Sequence, residues 1–385
     1  MQTDTLTAPV HIGAAAAEGH QISAEACTVQ TVGDIAAFVA LEGAWNDTVE
    51  RAGIPHPFVR HEWVRAWWEA FGAGRQLHIL IVRSGGRILA IAPLLIEDVR
   101  MYRIPVRRIA FMANDHTPRM DVIVAEREEE CYRALWNALQ QTRWDVALLH
   151  QLPADSPTRD AFARLAKTSG CGTVMWRADS SPYLPLHGTW DSYFNSLDAK
   201  FRSNVRNRLS RLQKLGDVRL EVLRGSAALE ACGDAVRLEA SGWKAVEGTA
   251  LDCDPAVKMF YANFAERAVE RDWFRLLFLT VNGTRIATAY SLRYEDRLFL
   301  CKTGYDPDYA KGSPFKVLNY FAIQHAFDSG LTEFDLLGDA EPWKLEWMSA
   351  SRPHDWMFIF SNTVKAGLVR RLKAEVIPAW KRWRA

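Results

Sequence analysis

Residues 301–347 read CKTGYDPDYAKGSPFKVLNYFAIQHAFDSGLTEFDLLGDAEPWKLEW, and this stretch decides the fold. Its composition predicts a strand, a turn-rich loop, a helix and a second, buried strand. The helix is expected to begin with Ser313 as N-cap and Pro314 as its first residue, and to end at Gly330. A strand that leads through a loop to a helix N-terminus presents backbone N–H groups to an anion.

Two lysines, Lys311 and Lys316, flank the expected helix start. One interpretation is a cradle for a diphosphate, in which the lysines add positive charge to the backbone donors. The other is an ordinary capped helix with two solvated lysines, because capped helix starts are common. The rest of the chain is needed to decide between them.

Composition narrows the class of protein. The chain has 385 residues, 49% hydrophobic and 24% charged, which fits a soluble globular protein of two or three domains. Its 47 basic and 46 acidic side chains give no overall field for nucleic acid. Six scattered cysteines without CxxC spacing predict no metal site. The first 25 residues do not resemble a signal peptide and no stretch resembles a membrane span, so a cytoplasmic protein is expected.

The order of elements occurs twice. GGRILAIAPLL at 85–95 resembles NGTRIATAYSL at 282–292, and RWDVALL at 143–149 resembles TEFDLLG at 332–338. This predicts two α/β copies, each with a mixed central β-sheet flanked by helices; the alternative is two unrelated α/β domains that look alike. The expected parts are a disordered tail (1–27), an N-terminal copy (28–183), a C-terminal copy (184–362) and a basic C-terminal helix (363–385).

The two copies differ where a phosphate would bind. The second copy has GSPFK before its helix, whereas the first has Glu126, Glu128, Glu129 and Glu130 there. Carboxylates suit a helix N-terminus but repel a diphosphate. A phosphate-bearing ligand is therefore expected on the second copy, with the first copy as support or as part of an acceptor site.

Two basic helices are predicted, and each has two interpretations. Residues 200–215 carry five basic side chains besides Lys200, which suit either a solvated linking helix or contacts to the phosphates of a ligand. Residues 364–384 combine basic residues with an apolar side. That helix either packs against the body of the protein or makes peripheral contact with an anionic membrane.

A third feature is a helix followed by a glycine-containing loop at 238–261. Glu239, Trp243 and Lys244 lie in it and are candidates to wall a substrate pocket beside the central strand. The alternative is core packing of the tryptophan with a surface lysine.

Together these motifs resemble the GNAT acyltransferase superfamily. The resemblance rests on WKAVEGTA at 243–250, RIATAYSL at 285–292, KTGYDPDYAKGSPFKVL at 302–318 and FDLLGDAEPWKLEW at 334–347. It is nearest to the branch of cellulose-biosynthesis-associated acetyltransferases and their Fem-type relatives. It implies tandem GNAT-like domains and acetyl-CoA or another acyl-CoA as donor. The diphosphate would then lie at Gly312, Ser313, Pro314, Phe315 and Lys316, beside Lys311.

The loop departs from the superfamily's usual pattern of a basic residue or Gln, two residues, Gly, any residue, then Gly or Ala. Tyr309, Gly312 and Pro314 occupy the matching positions. Because proline lacks an N–H, one backbone donor is missing and the contact to the diphosphate must differ in part.

Acyl transfer needs a base, donors for the oxyanion and an acid for the leaving thiolate. The candidate catalytic residues are Asp335, Asp339 and Lys344 at the end of the last central strand, with Tyr305 as acid; Glu341 is a candidate substrate contact. For Asp335 a structural hydrogen-bonding role is equally open, and for Lys344 a salt bridge. A covalent route through Cys301 is not favoured, because its expected base, His325, lies three turns into the helix.

Three functions follow. The first is a GNAT-type acyltransferase that uses acyl-CoA and acts on an amine or hydroxyl of a small molecule or saccharide, in polysaccharide or envelope synthesis. The second is a Fem-type aminoacyl transferase, for which tRNA would be a partner. The third is a non-catalytic GNAT-like scaffold, which Pro314 favours.

Overall fold

The computed structural model of this protein describes residues 25–241 and 253–376. The expected N-terminal tail up to residue 24, the candidates Trp243 and Lys244, and the C-terminal helix beyond residue 376 lie outside the described residues. All further statements concern the described ranges.

The N-terminal half alternates helices and strands, as the sequence predicts. Residues 35–51 form two helices, and the hairpin of β3 and β4 turns at residues 85 and 86. The elements are β1 (Thr28–Val32), α1 (Ile35–Ala40), α2 (Glu42–Arg51), α3 (His61–Phe71), β2 (Gln76–Leu77), β3 (Ile79–Ser84), β4 (Arg87–Ala92), β5 (Leu94–Met101), β6 (Ile104–Phe111), β7 (Ile123–Val124), α4 (Glu128–Gln141), β8 (Val146–Pro153), α5 (Pro157–Thr168) and β9 (Gly172–Pro185).

The C-terminal half repeats this order of elements. Short 3₁₀ turns at Pro57–Val59 and Pro307–Gly312 and a π-turn at Leu372–Val376 complete the described chain. The elements are α6 (Trp190–Ser196), α7 (Ala199–Gln213), β10 (Val218–Arg224), α8 (Gly225–Glu230), α9 (Cys232–Ala240), α10 (Pro255–Glu270), β11 (Phe274–Val281), β12 (Thr284–Tyr294), β13 (Arg297–Tyr305), α11 (Pro314–Asp328), β14 (Glu333–Asp335), α12 (Pro342–Leu345), β15 (Ala350–Phe360) and α13 (Val364–Arg371).

One large mixed sheet runs through both halves, in the order β10-β11-β12-β13-β14-β9-β15-β8-β6-β5-β2, beside a smaller sheet β1-β3-β4-β7. In each half a parallel pair, β6 with β8 or β13 with β14, follows the hairpins. The last strand of each half then crosses over: β9 pairs with β14, and β15 pairs with β8. Because β9 and β15 also pair with each other, each half completes the sheet of the other, and β9 runs across the expected boundary at residue 183.

In the C-terminal half, β13 and β14 pair only from Arg297 to Phe299 and then separate. A bulge in β13 at Cys301, where the register with β12 shifts, bends the strand on one side. On the other side, Leu337 and Gly338 follow β14 with φ values of +52° and +61°, which turn the chain away. The two strands therefore enclose an opening, which we call the strand cleft.

In the N-terminal half, the matching place beyond β6 and β8 is occupied. The loop at residues 112–122 lies there, and the Met120 N–H donates to the Gln151 carbonyl at 3.1 Å. Met120 and Arg119 are buried. Helix α4 begins with Glu128, as the sequence predicts. The first copy therefore has neither an open cleft nor an anion-binding helix start.

The described part of the basic C-terminal helix packs against the body of the protein. Ala366 and Val369 of α13 are buried, and the Lys373 ammonium lies 3.0 Å from the centre of the Trp176 ring. Of the two interpretations of this helix, these contacts favour packing over a membrane surface, although Val364 and Leu368 remain exposed.

Gly304 allows α9 to lie directly on β13, and this contact can be tested. A Cβ at residue 304 would lie 2.3 Å from Glu239 Cα and 2.6 Å from the Leu238 carbonyl oxygen, which no side-chain rotation can relieve. We expect Gly304→Ala to lower the free energy of unfolding by about 1–3 kcal/mol in urea titrations. Gly43→Ala, in α2 with open space around it, is the control and should raise stability slightly. Equal stability of both variants would contradict the contact.

Candidate functional site

The strand cleft is a cavity of about 430 Å³ between β13 and the chain that follows β14. It reaches the start of α11 at one end and helix α9 at the other. The residues that line it are Glu239, Leu300, Cys301, Lys302, Thr303, Gly304, Tyr305, Phe315, Leu336, Leu337, Gly338, Glu341, Trp343 and Lys344.

The start of α11 differs from the sequence prediction in one respect. Pro314 is the first helical residue, as predicted, but Ser313 has φ +47° and its side chain makes no capping hydrogen bond. Ser313 thus occupies the predicted N-cap position, but its side chain does not cap the helix. Since the first N–H groups of an α-helix have no partner within the helix, and proline has none to offer, the backbone donors here belong to Phe315 and Lys316.

Helix α7 packs on the loop before α11. A Cβ at Gly312 would lie 2.3 Å from the Leu212 side chain, so only glycine allows this approach. The Arg208 and Arg211 guanidinium groups donate to the Lys311 carbonyl oxygen at 2.9 and 3.3 Å. The basic face of α7 thus lies beside the loop, as one of its two interpretations requires.

Lys316, the second lysine at the helix start, is not a solvated side chain. Its ammonium group donates to Glu346 at 2.9 Å and lies 4.7 Å from the centre of the Phe201 ring. An anion at the start of α11 would therefore compete with Glu346 for this ammonium group.

Asp335 lies in a buried ion pair rather than in the cleft. It is fully buried, and one carboxylate oxygen accepts from Arg119 and, at 3.2 Å, from Arg352. The other oxygen accepts from the Leu337 N–H at 2.8 Å. Because both oxygens are engaged and no solvent reaches them, this geometry favours the structural role that the sequence left open, not that of a base.

Lys344 also has a structural environment. Its ammonium group donates to the carbonyl oxygens of Leu337 and Asp339 at 2.8 and 2.9 Å, and lies 3.5 Å from Glu341. Burial lowers its pKa, an effect that the Glu341 carboxylate partly opposes. Lys344 thus fixes the turn after β14, and the exposed Asp339 lies outside the lining of the cleft.

Two predicted residues do face the cleft from α9 and β13. Tyr305, at the end of β13, lines it, and its carbonyl oxygen accepts from the Ser241 hydroxyl at 3.0 Å. Glu239 is only 2% exposed, because α9 lies so close to Gly304. Glu239 lines both the strand cleft and a second cavity between α9, α10 and the sheet.

Residues of the first copy lie beside the cleft, in a small cavity that shares part of its lining, and sequence reasoning missed them. His116 and Thr117 of the loop at 112–122 line a small cavity together with Lys302 and Gly338 of the second copy. Burial lowers the pKa of His116 to about 4, with a smaller contribution from the charge of Lys302. The ring is therefore neutral at pH 7. The sequence signal that could have found them is the polar cluster NDHTPR at 114–119, which follows β6.

The covalent route through Cys301 finds no support. Burial raises the pKa of the Cys301 thiol, which keeps it protonated and a poor nucleophile. Within residues 25–241 and 253–376, no cluster of three or more His, Cys, Asp or Glu side chains is placed to hold a metal ion. Nor does any helix in these ranges have the length and apolar character to cross a membrane.

The role of Asp335 can be tested by stability. Asp335→Asn removes the charge that Arg119 and Arg352 share, so the buried Arg119 loses its carboxylate partner, whereas Arg352 keeps Glu333 at 2.6 Å. Breaking a buried ion pair costs about 3–5 kcal/mol, so the melting temperature should fall clearly in calorimetry. Asp98→Asn removes an exposed carboxylate 3.8 Å from Arg107 and should change little. An unchanged melting temperature for Asp335→Asn would overturn the structural assignment.

Comparisons with known proteins agree with this geometry. Residues 199–345 match the family described as acetyltransferase (GNAT) domain. A search of the curated proteins found no match.

Among solved structures, FemX is 12% identical with a TM-score of 0.52, over 80% of this chain and 92% of that one. The C-terminal domain of a putative lysylphosphatidylglycerol synthetase from Agrobacterium fabrum is 13% identical, TM-score 0.50, over 86% and 96%. A conserved protein of unknown function from Bacteroides thetaiotaomicron is 12% identical, TM-score 0.50, over 87% and 100%. At these identities the likeness concerns the fold alone. The predicted α/β fold, in which the order of elements occurs twice, is confirmed. Residues 199–345 of this chain are thus similar to an acetyltransferase (GNAT) domain, within a fold similar to that of FemX.

Proposed function

We propose that this protein is an acyl-CoA-dependent acyltransferase that transfers an acyl group directly to an amine or hydroxyl. The observation that carries the proposal is the strand cleft, which opens beside the uncapped start of α11 within the GNAT-matching region. Membership of the cellulose-biosynthesis-associated branch, and a setting in polysaccharide or envelope synthesis, belong to the proposal and rest on the sequence resemblance.

The proposed donor is acetyl-CoA or another acyl-CoA. Its diphosphate would bind at residues 311–316, where the backbone N–H groups of Phe315 and Lys316 face outward from the helix start. The guanidinium groups of Arg208 and Arg211 lie beside this loop and add positive charge, which supports the site despite the donor lost at Pro314. The pantetheine arm would then lie along the strand cleft.

We assign the proton acceptor to Glu239 instead of Asp335. Glu239 is the carboxylate that lines both the strand cleft and the neighbouring cavity, so it lies where donor and acceptor would meet. In the proposed step, the acceptor nitrogen or oxygen attacks the thioester carbonyl carbon and its proton passes to Glu239. The C–S bond breaks, and Tyr305, which also lines the cleft, protonates the leaving thiolate.

The alternative donor is the aminoacyl-tRNA of a Fem-type transferase. The exposed side chains of Arg206 and Arg211 on α7 favour it, because a basic helix beside the cleft suits a large anionic donor. Native mass spectrometry of the purified protein distinguishes the two by whether CoA or tRNA co-purifies.

The diphosphate site can be tested at Ser313. Its left-handed backbone suits aspartate and asparagine about equally, so Ser313→Asp and Ser313→Asn differ mainly in charge. In calorimetric titrations with CoA, Ser313→Asp should bind at least about tenfold more weakly, a loss of about 1.4 kcal/mol. Ser313→Asn should stay close to the native protein. Equal CoA affinities of the two folded variants would reject the site, and no CoA binding by the native protein would favour the tRNA-dependent transferase or the scaffold.

The role of Glu239 can be tested through turnover. Glu239→Gln keeps the size of the side chain but removes the base, so release of the CoA thiol from acetyl-CoA should slow by about 10²-fold. CoA affinity should not change, because the diphosphate binds elsewhere. The control Glu266→Gln alters an exposed carboxylate on α10 and should keep full turnover. If Glu239→Gln keeps full turnover, another group removes the proton.

A further inference from the structure

A second cavity, of about 570 Å³, lies between α9, α10 and the face of β12 and β13. We call it the helix cavity. It shares Glu239 and Lys302 with the strand cleft, so the two cavities meet at these side chains. A molecule in the helix cavity would therefore lie on the far side of Glu239 from the proposed donor.

Most of its wall is apolar. Ala235 and Val236 of α9 contribute aliphatic surface, and Tyr261 and Tyr290 contribute two rings 5.2 Å apart, edge to face. The Tyr290 hydroxyl already donates to the Tyr261 carbonyl oxygen at 3.1 Å, so it offers little to a ligand. Such a wall favours a ligand with an apolar body.

The polar groups of the cavity are few. Thr288 is 2% exposed, and its buried hydroxyl has no hydrogen-bond partner. Two lysines, Lys258 and Lys302, line the cavity with one carboxylate, Glu239; Arg237 also lines it but pairs with Asp234 at 2.9 Å. The excess of positive charge favours a ligand with an anionic group, and the unpartnered hydroxyl favours a ligand with a polar atom beside it.

We propose that the helix cavity binds the acyl acceptor, and that this acceptor is an apolar molecule with one anionic group rather than a saccharide. The proposal rests on the proposed function and names the substrate class of that same site. A sugar would bring several hydroxyls against alanine, valine and tyrosine surfaces, and each hydroxyl left without a partner costs about 1–3 kcal/mol. An apolar acid leaves only one polar group to satisfy.

A long acyl chain of the donor is the other candidate occupant, and the same observations disfavour it. A hydrocarbon chain gives the Thr288 hydroxyl no partner and brings no negative charge to a wall that holds two lysines and one carboxylate. The anionic acceptor uses both features.

The test uses two fluorescent probes with one aromatic body. 1-Anilinonaphthalene-8-sulfonate carries an anionic group, and N-phenyl-1-naphthylamine is the same molecule without it. Both are titrated into the full-length protein. Ala262→Trp places a ring in the cavity from an exposed position of α10, and Ala36→Trp on α1 is the matched control far from it in the N-terminal half. Ala262→Trp should weaken the sulfonate probe at least about tenfold and Ala36→Trp less than about twofold.

Lys258→Met tests the charge, because it keeps the stem of an exposed rim residue but removes the ammonium group. We expect it to weaken the sulfonate about fivefold and to leave the neutral probe unchanged. Equal effects on both probes, or sulfonate binding that survives Ala262→Trp, would overturn the proposal. Displacement of the sulfonate by glucosamine, or by palmitoyl-CoA but not acetyl-CoA, would also overturn it, in favour of a saccharide or an acyl chain.

The probe titrations of the helix cavity can be interpreted independently of whether CoA binds in the strand cleft. Calorimetric titration of the same variants with CoA reports on the strand cleft alone. If CoA fails to bind while the probes follow the expected pattern, the proposed function fails and the ligand class of the helix cavity stands. If CoA binds and the probes do not follow the pattern, only the acceptor class is rejected.

Discussion

The exchange of the last strand between the two halves is the constraint on which the rest of this structure depends. β9 and β15 pair with each other along most of their length, and each also pairs with a strand of the opposite half. A strand in the middle of a sheet cannot leave without breaking two ladders of backbone hydrogen bonds. The halves therefore cannot separate as independent domains, and side chains of one half are held at fixed positions beside the other.

Asp335 shows how this constraint shapes the cleft. It ends β14, the strand that receives β9, and it binds Arg119 from the first copy and Arg352 from β15. Its second oxygen holds the N–H of Leu337, whose left-handed backbone turns the chain away from β13. The ion pair thus joins the two halves and keeps the strand cleft open. This role requires a carboxylate beside the cleft, even though its burial keeps it from contact with any ligand.

Periodicity and turn residues were enough to predict the strand, loop, helix and strand at 301–347, including the helix that begins at Pro314, and the basic helix α7. They could not predict the strand exchange, because the pattern of a buried strand does not say which half it joins. For the candidate site, the sequence predicted residues at the ends of β13 and β14, and Tyr305 and Lys344 do line the strand cleft there, while the catalytic roles stay predictions. Asp335 and Lys344 have residue types that suit catalysis, and both follow the last central strand. Only their burial and their hydrogen-bond partners indicate a structural role. His116 was missed because it lies beside the cleft on a loop of the other copy.

The two copies differ in the space beyond the parallel strand pair, which is filled in the first copy and open in the second. In the first copy, the loop at 112–122 fills the gap beyond β6 and β8 through the Met120 N–H and the Gln151 carbonyl. In the second, the bulge at Cys301 and the turn at Leu337 leave the gap open. A filled gap leaves no room for a donor. Because the Met120 hydrogen bond holds the loop in place, the outer face of the loop can present His116 toward the open gap of the second copy. The strand cleft is thus lined by the second copy, and the first copy adds His116 and Thr117 to the small cavity beside it.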